Sequence, residues 1–250
     1  MTRLPEDLTA RIAANKRRAT ALVAAAVVLV LVIVTVLGAL AGSAVLGLIF
    51  GIVVGAIVGA VVWTQSTSLA LSMARAVPAD EEQQARLHNL VEGLCAAAGL
   101  PKPALYIVET GRPDALTVGR SPREAAVVCT TGLLDSLTRM ELEGVVAHEL
   151  SHVKNYDILP ATLAVPLAGV LPPALRRALM QWAAGAHREA VGDVSGVALT
   201  RYPPGLIAAL EKLRHEGTGV PNHGRKAIDH LWLDSPAEDV DERIAALREL

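Results

Sequence analysis

Between residues 19 and 62 the chain carries no charged side chain. That gap excludes an ordinary soluble start to the protein. It also excludes a single membrane span, because one helix crosses a bilayer with about 20 apolar residues. A cleaved signal peptide does not fit either, since the stretch is too long and begins too late for an h-region. Runs of Lys or Arg are missing as well, and the net charge is only −2. No basic stripe for nucleic acid follows from that pattern. Cysteine is scarce: Cys95 and Cys129 have no CxxC spacing, which excludes a Cys-based metal site and a disulfide framework. Both read as reduced, buried thiols of a reducing compartment. Aromatics make up 3% of residues although 52% are hydrophobic, and that excess is concentrated near the N-terminus.

Residues 20–41 and 44–63 each supply one span, with Gly42-Ser43 to turn the chain between them. A helical hairpin is expected. Gly47, Gly51, Gly55 and Gly59 recur every fourth residue, which places them on one helix face where another helix can approach closely. That partner is either the first helix or a second copy, so a homo-oligomer through this face is one reading. Arg3, Arg11, Lys16, Arg17 and Arg18 precede the first span. The positive-inside rule then puts the N-terminus, and after two crossings the rest of the chain, in the cytoplasm. The expected division is a basic segment 1–18, a transmembrane hairpin 19–65 and a cytoplasmic domain 66–250, in a multi-pass protein of the cell (inner) membrane.

In the soluble part, Pro78-Ala79-Asp80 offers a break and an N-cap for a helix to about Ala98. Three short β-rich runs follow at 104–109, 115–118 and 125–130, punctuated by Gly and Pro. Thr138-Arg139-Met140-Glu141 fits a capping box for a helix to about Asn155. Residues 158–175 are apolar but broken by four prolines. A lone span there would leave Glu189 across the membrane from His148, so the segment is expected to pack on the domain or dip into the membrane surface. One helix is expected over 178–199, another from 205, and an amphipathic one over 240–250. The fold class is α+β, mostly helical, with a small sheet after the two-helix hairpin.

His148-Glu149-Leu150-Ser151-His152 carries the chemistry. On a helix, residues four apart project from one face. Two imidazoles can therefore hold one Zn²⁺, with Glu149 placed to act as base on a water at the metal. A catalytic zinc takes a third protein ligand and keeps a position open. Glu189 is the first candidate, because Asp193 at i+4 can take the free N–H of a ligand imidazole and fix its tautomer. His187 and Asp157 are rivals.

The segments TTGLLDSLTRMELEGVVAHELSHVKNYD (130–157), REAVGDVSGVALT (188–200), LIAALEKL (206–213) and DERIAALREL (241–250) resemble the M48 family of metallopeptidases. The resemblance covers roughly residues 70–250, and the N-terminal hairpin is similar to that of the family's membrane-bound branch. It implies a zincin-like peptidase domain, one zinc per chain held by His148, His152 and Glu189, and Glu149 as catalytic base. It implies polypeptide substrates, unfolded or membrane-linked, hydrolysed at the cytoplasmic face beside the lipid bilayer. Two positions depart from the family. Where relatives read Asn-Ala-Phe-Ala on the strand beside the site, this chain has Asp114-Ala115-Leu116-Thr117. The first three of these, with Arg243, are the expected substrate-binding residues. Where relatives carry a Ser-Thr-His-Pro-like stretch, this chain has Ser235-Pro236-Ala237. Loss of an oxyanion donor costs about 100- to 1000-fold in rate. His230 is the first candidate to replace it, with His223, Tyr156 and Arg243 behind it. The competing readings are a zinc-binding pseudo-peptidase acting as a scaffold, and an assembly module working through its glycine face.

Overall fold

The computed structural model describes residues 8–185, 187–216, 227–233 and 239–250. Two helices open it, α1 (Leu8–Leu40) and α2 (Ala44–Ala74), both long and apolar enough to cross a membrane. Gly42 makes the turn between them at φ 103°, a conformation that residues with a Cβ resist. Ser43 then caps α2 by accepting from the Leu46 amide. The glycine face of α2 is turned onto α1. A Cβ at Gly47 would stand 2.9 Å from Gly38 Cα, and one at Gly51 would stand 3.0 Å from the Leu31 carbonyl oxygen. Of the two partners the spacing allowed, α1 is therefore the one in place, and the surface expected to serve a homo-oligomer is covered by it. Both helices run beyond the apolar stretch, so the hairpin continues as a stalk into the domain.

Strand β1 (Val77–Pro78) follows, then α3 (Ala85–Ala98), β2 (Ala104–Val108), β3 (Ala115–Val118) and β4 (Ala126–Thr130). The sheet order is β1-β2-β4-β3. β2 and β4 are parallel, and the outer pairs are antiparallel. The three expected strands are present. β1 falls where a break was expected, because a two-residue edge strand carries no periodicity to detect. Asp80 does accept from the amides of Glu82 and Gln83, but a turn intervenes before α3 begins.

Five further helices lead through the site: α4 (Thr131–Ser136), α5 (Arg139–Asn155), α6 (Ile158–Ala168), α7 (Pro173–Ala184) and α8 (Arg188–Thr200). Then come α9 (Pro203–Glu216) and α10 (Val240–Leu247), with a short 3₁₀ turn at Asp229–Leu231 between them. The single helix expected over 178–199 is two. Gly185 at φ 85° and His187 at φ 59° break the path between α7 and α8. Within the 158–175 segment, α6 packs on the domain and on the hairpin, while Val170 and Leu175 are exposed. Ala161 and Val165 of α6 meet α2 and the sheet, while Leu159, Leu163 and Ala164 meet Ala19, Leu22 and Val62 of the hairpin. The main core lies between the sheet and α3, α5, α9 and α10, built on Leu87, Val91, Leu142, Val146, Leu210 and Leu247. This core fixes α5, and α5 fixes the site.

Candidate metal centre

α5 starts in a capping box, with the Thr138 amide donating to Glu141 Oε2 at 2.7 Å. It ends where Tyr156 takes a left-handed φ of 58°, which turns the chain so that Asp157 folds back beneath the helix. From Val145 to Val153 every residue of α5 is buried. A polar group in such a helix needs a partner, and each of the four in the His148–His152 motif has one.

α8 supplies the other half. Glu189, Gly192, Asp193 and Gly196 lie three and four residues apart and share one helix face. A Cβ at Gly196 would stand 2.8 Å from His148 Cα, so α8 rides directly on the backbone of α5. Ser151 Oγ donates to the Gly192 carbonyl at 3.1 Å and ties the two together. This close approach brings Glu189 and Asp193 to the imidazoles.

His148 Nε2 lies 3.0 Å from His152 Nε2 and 3.2 Å from Glu189 Oε2. Atoms from all three residues fall within 4.8 Å of one another, and all three side chains are buried. Donors on one tetrahedral zinc stand about 3.3 Å apart, given zinc–nitrogen bonds of about 2.0 Å, so the spacing fits. The tautomers argue the same way. His152 Nδ1 is 3.0 Å from Asp157 Oδ2, and a ring N–H there faces a carboxylate. His148 Nδ1 is 2.8 Å from Asp193 Oδ1, a close contact bent off the hydrogen-bond line. With both Nδ1 atoms protonated, two Nε2 lone pairs and a carboxylate oxygen converge on one point. Three acceptors so placed repel one another unless a cation lies between them. Without a metal, a proton takes that part. Burial opposes a charged His148, yet Asp193 and Glu189 overcome burial and push its pKa up to about 9.

Two arginines brace the carboxylates. Arg188 Nη1 donates to Glu189 Oε1 at 2.7 Å, and its Nε lies 3.7 Å from Asp157 Oδ1. Arg243 donates to Asp193 from Nε at 2.8 Å and from Nη2 at 2.7 Å. Burial raises the pKa of Glu189 and Asp193, but these cations and His148 outweigh it and hold both well below the usual carboxylate range. Asp157 has the weaker pairing, and its burial prevails, raising it to about 7.

Glu149 lies beside the cluster, 1% exposed. Burial raises its pKa, against His148 and a hydrogen bond from Thr117. Thr117 Oγ1 donates to Glu149 Oε2 at 2.6 Å. Thr117 is on β3, so the strand and the helix meet at this bond. The sequence had shown Thr117 only as a departure from the family strand. Arg188 adjoins its partner Glu189, but its burial shows only in the fold, where its second carboxylate, Asp157, comes from 31 positions earlier, across two helices.

The other candidates fall as follows. His187 is exposed and outside the cluster, and Asp157 sits behind His152 instead of converging on the three donors. Asp114 is fully buried, with Oδ1 accepting from the Ala115 amide. Ala115 and Leu116 line the outer edge of β3, but part of that edge is occupied. The Leu233 amide donates to the Ala115 carbonyl, and Leu116 pairs with Trp232. Arg243, expected at the substrate, has its guanidinium buried on Asp193 and on the Leu233 carbonyl. The charge of Asp193 holds it there. His230 is buried with Nε2 3.0 Å from the Ala161 carbonyl oxygen, and burial lowers its pKa to about 4. Tyr156 lies under Lys16, 4.6 Å from the ring centre. His223 and Ser235-Pro236-Ala237 are outside the described residues. Cys95 and Cys129 are free and buried.

Residues 81–211 match Peptidase family M48. The chain belongs to that family. Its M48 relatives include the protease HtpX homolog of Thermoanaerobacter pseudethanolicus, 33% identical over 239 residues, covering 75% of this chain and 79% of the relative. The protease HtpX homolog of Streptococcus gordonii is 35% identical over 240 residues, covering 74% and 80%. That of Caldanaerobacter subterraneus subsp. tengcongensis is 32% identical over 220 residues, covering 72% and 73%. This M48 chain is a metallopeptidase with a buried His-His-Glu cluster for a metal ion, and its two long apolar helices make it a membrane protease.

Proposed function

We propose that the protein is a zinc endopeptidase that hydrolyses unfolded or membrane-associated polypeptides at the cytoplasmic face of the cell membrane. The convergence of His148 Nε2, His152 Nε2 and a Glu189 oxygen within 4.8 Å carries the reading. Two nitrogens and one carboxylate oxygen are a donor set suited to catalytic zinc. Bound there, zinc supplies Lewis acidity to the scissile carbonyl and makes a water acidic enough to lose its proton near neutral pH. Glu149 receives that proton and hands it to the leaving amine. Asp193 and Asp157 keep both ligand rings in the Nδ1–H tautomer, and Arg188 holds Glu189 by its outer oxygen. The chain from 66 onward acts as the catalytic domain on the hairpin 19–65. His230 stands in this reading as a candidate to steady the oxyanion, on release from the Ala161 carbonyl.

Oriented vesicles test the proposal. Inverted vesicles expose the cytoplasmic face and are expected to cut an unfolded substrate added outside; right-side-out vesicles are expected not to. A chelator should stop cleavage and zinc restore it. Cleavage by right-side-out vesicles alone rejects the topology, and cleavage that survives metal stripping rejects the zinc.

Thr117 gives a smaller prediction. Thr117→Val removes the bond that fixes Glu149 and is expected to lower kcat about tenfold, with KM within about twofold, since one hydrogen bond to a charged group is lost and substrate contacts are not. Thr117→Ser should restore most of kcat. Equal losses in both variants would mean the residue only fills space.

A further inference from the structure

We infer that α7 lies in the cytoplasmic headgroup boundary of the bilayer and seats the active site against the lipid. The inference rests on α1 and α2 spanning the membrane, and it adds a third point of contact to that reading.

The depth of α7 is set by what it touches. Leu179 and Ala183 of α7 pack in one cluster with Ala19, Leu22 and Val23 of α1 and with Val58 and Val62 of α2. Those five hairpin residues lie at the near ends of the two spans expected over 20–41 and 44–63, where polar residues Thr64 to Ser68 follow the second. At the end of α7, the Gly185 backbone lies against the Arg18 guanidinium. Arg18 is the last cation before the first span, and such residues mark the membrane interface. α7 is therefore held at the level where apolar chain gives way to headgroups.

Its surface suits that level. Leu175, Ala178 and Trp182 recur at i, i+3 and i+7, one stripe along the helix. Leu175 is 59% exposed and Trp182 47%, and Val170 just before the helix is 81% exposed. Arg177 lies on the far side of the helix from Leu175, with Gln181 on the flank between Arg177 and the stripe, and both are exposed. The inward side, Leu179 and Ala183, is already covered, so the stripe is a second apolar surface beside the packed one. An amphipathic helix with Trp and Leu on one face and Arg on the other lies in the interface plane with its apolar face in the acyl boundary. The bilayer is continuous with the apolar surface of α1 and α2, whose Ile33 and Ile52 are 48% and 57% exposed.

The placement matters for catalysis. The α6–α7 hairpin begins after Asp157, which faces His152, and leads into Arg188 and Glu189. A lipid-seated α7 holds both ends of that hairpin, so the site opens at the membrane surface and takes chains that lie along it or emerge from it.

Single cysteines test this in phosphatidylcholine–phosphatidylglycerol nanodiscs. Cys95 and Cys129 are buried, and burial raises Cys95 to about 11, so the parent protein gives a low labelling blank. Nitroxides are placed by Leu175→Cys, Ala178→Cys and Trp182→Cys on the stripe, by Arg177→Cys and Gln181→Cys on the polar side and its flank, and by Ile33→Cys and Ile52→Cys as span controls. Stripe labels are expected to collide several-fold more with oxygen than with an aqueous nickel chelate, and the 177 and 181 labels the reverse. If stripe labels are as aqueous as 177 and 181 while the controls lie deep, the inference fails and the spans stand. If the controls are also aqueous, the spanning reading fails and the inference with it. Stripe labels shielded from both reagents would mean that protein covers the stripe, a second copy or a polypeptide, and that also overturns the inference.

Discussion

Glu149→Gln is expected to lower the rate of peptide hydrolysis by roughly 100- to 10,000-fold, the range that general acid–base groups supply. The substitution keeps shape and volume. The amide oxygen of the new side chain would still accept from the Thr117 hydroxyl, so β3 and α5 should stay docked. The variant loses only the capacity to take a proton. The three metal-binding side chains are untouched, and the variant should hold as much metal as the parent. The measurement pairs turnover of an unfolded substrate with metal content of the same sample. A variant that cleaves at the parent rate removes Glu149 from the proposed mechanism. A variant that has lost its metal shows that Glu149 supports the cluster itself. The buried setting makes the prediction sharp: at 1% exposure Glu149 has little solvent to lend it a substitute base.

How much of this was legible depends on how local each signal is. The His148–His152 pair, the capping box at Thr138 and the two apolar spans are set by spacing within a few turns, and the structure has them where expected. Glu189 and Asp193 were legible as a pair because four residues separate them on one helix. Their meeting with α5 was not, since it depends on Gly192 and Gly196 letting two distant helices touch. Thr117 was missed for the same reason: Glu149, the group it serves, lies 32 positions away, and the tie from Arg188 and its neighbour Glu189 to Asp157 spans 31 positions, pairings that no periodicity encodes. The break between α7 and α8 escaped because Gly185 and His187 leave the helix by adopting positive φ, which the alanine-rich surroundings conceal. Arg243 was placed at the substrate on a resemblance. In the fold it is drawn to Asp193, the nearest buried charge that needs a partner.

Removing the third donor should have the second large effect. Glu189→Gln is expected to weaken metal binding at least about 100-fold, roughly 2.7 kcal/mol. A neutral amide oxygen cannot replace a carboxylate between two imidazole lone pairs. The amide keeps an acceptor for Arg188, which otherwise would be left as a buried unpaired charge, a loss that can unfold a protein. Asp193→Asn and Asp157→Asn act one step further out. Each weakens the hold on one ring tautomer and should lower affinity about 10- to 100-fold, with Asp193→Asn also loosening the Arg243 clamp. The expected order is thus Glu189→Gln below the two Asn variants, and those below the parent. Competition with a chelator of known affinity reads the order directly, and circular dichroism on the same samples reports whether the helices persist. If Asp157→Asn loses the metal while Glu189→Gln keeps it, the third donor is Asp157, the carboxylate now facing His152 Nδ1. If both keep it, the metal is held by the two imidazoles and a group outside the described residues, and the donor set proposed for zinc fails.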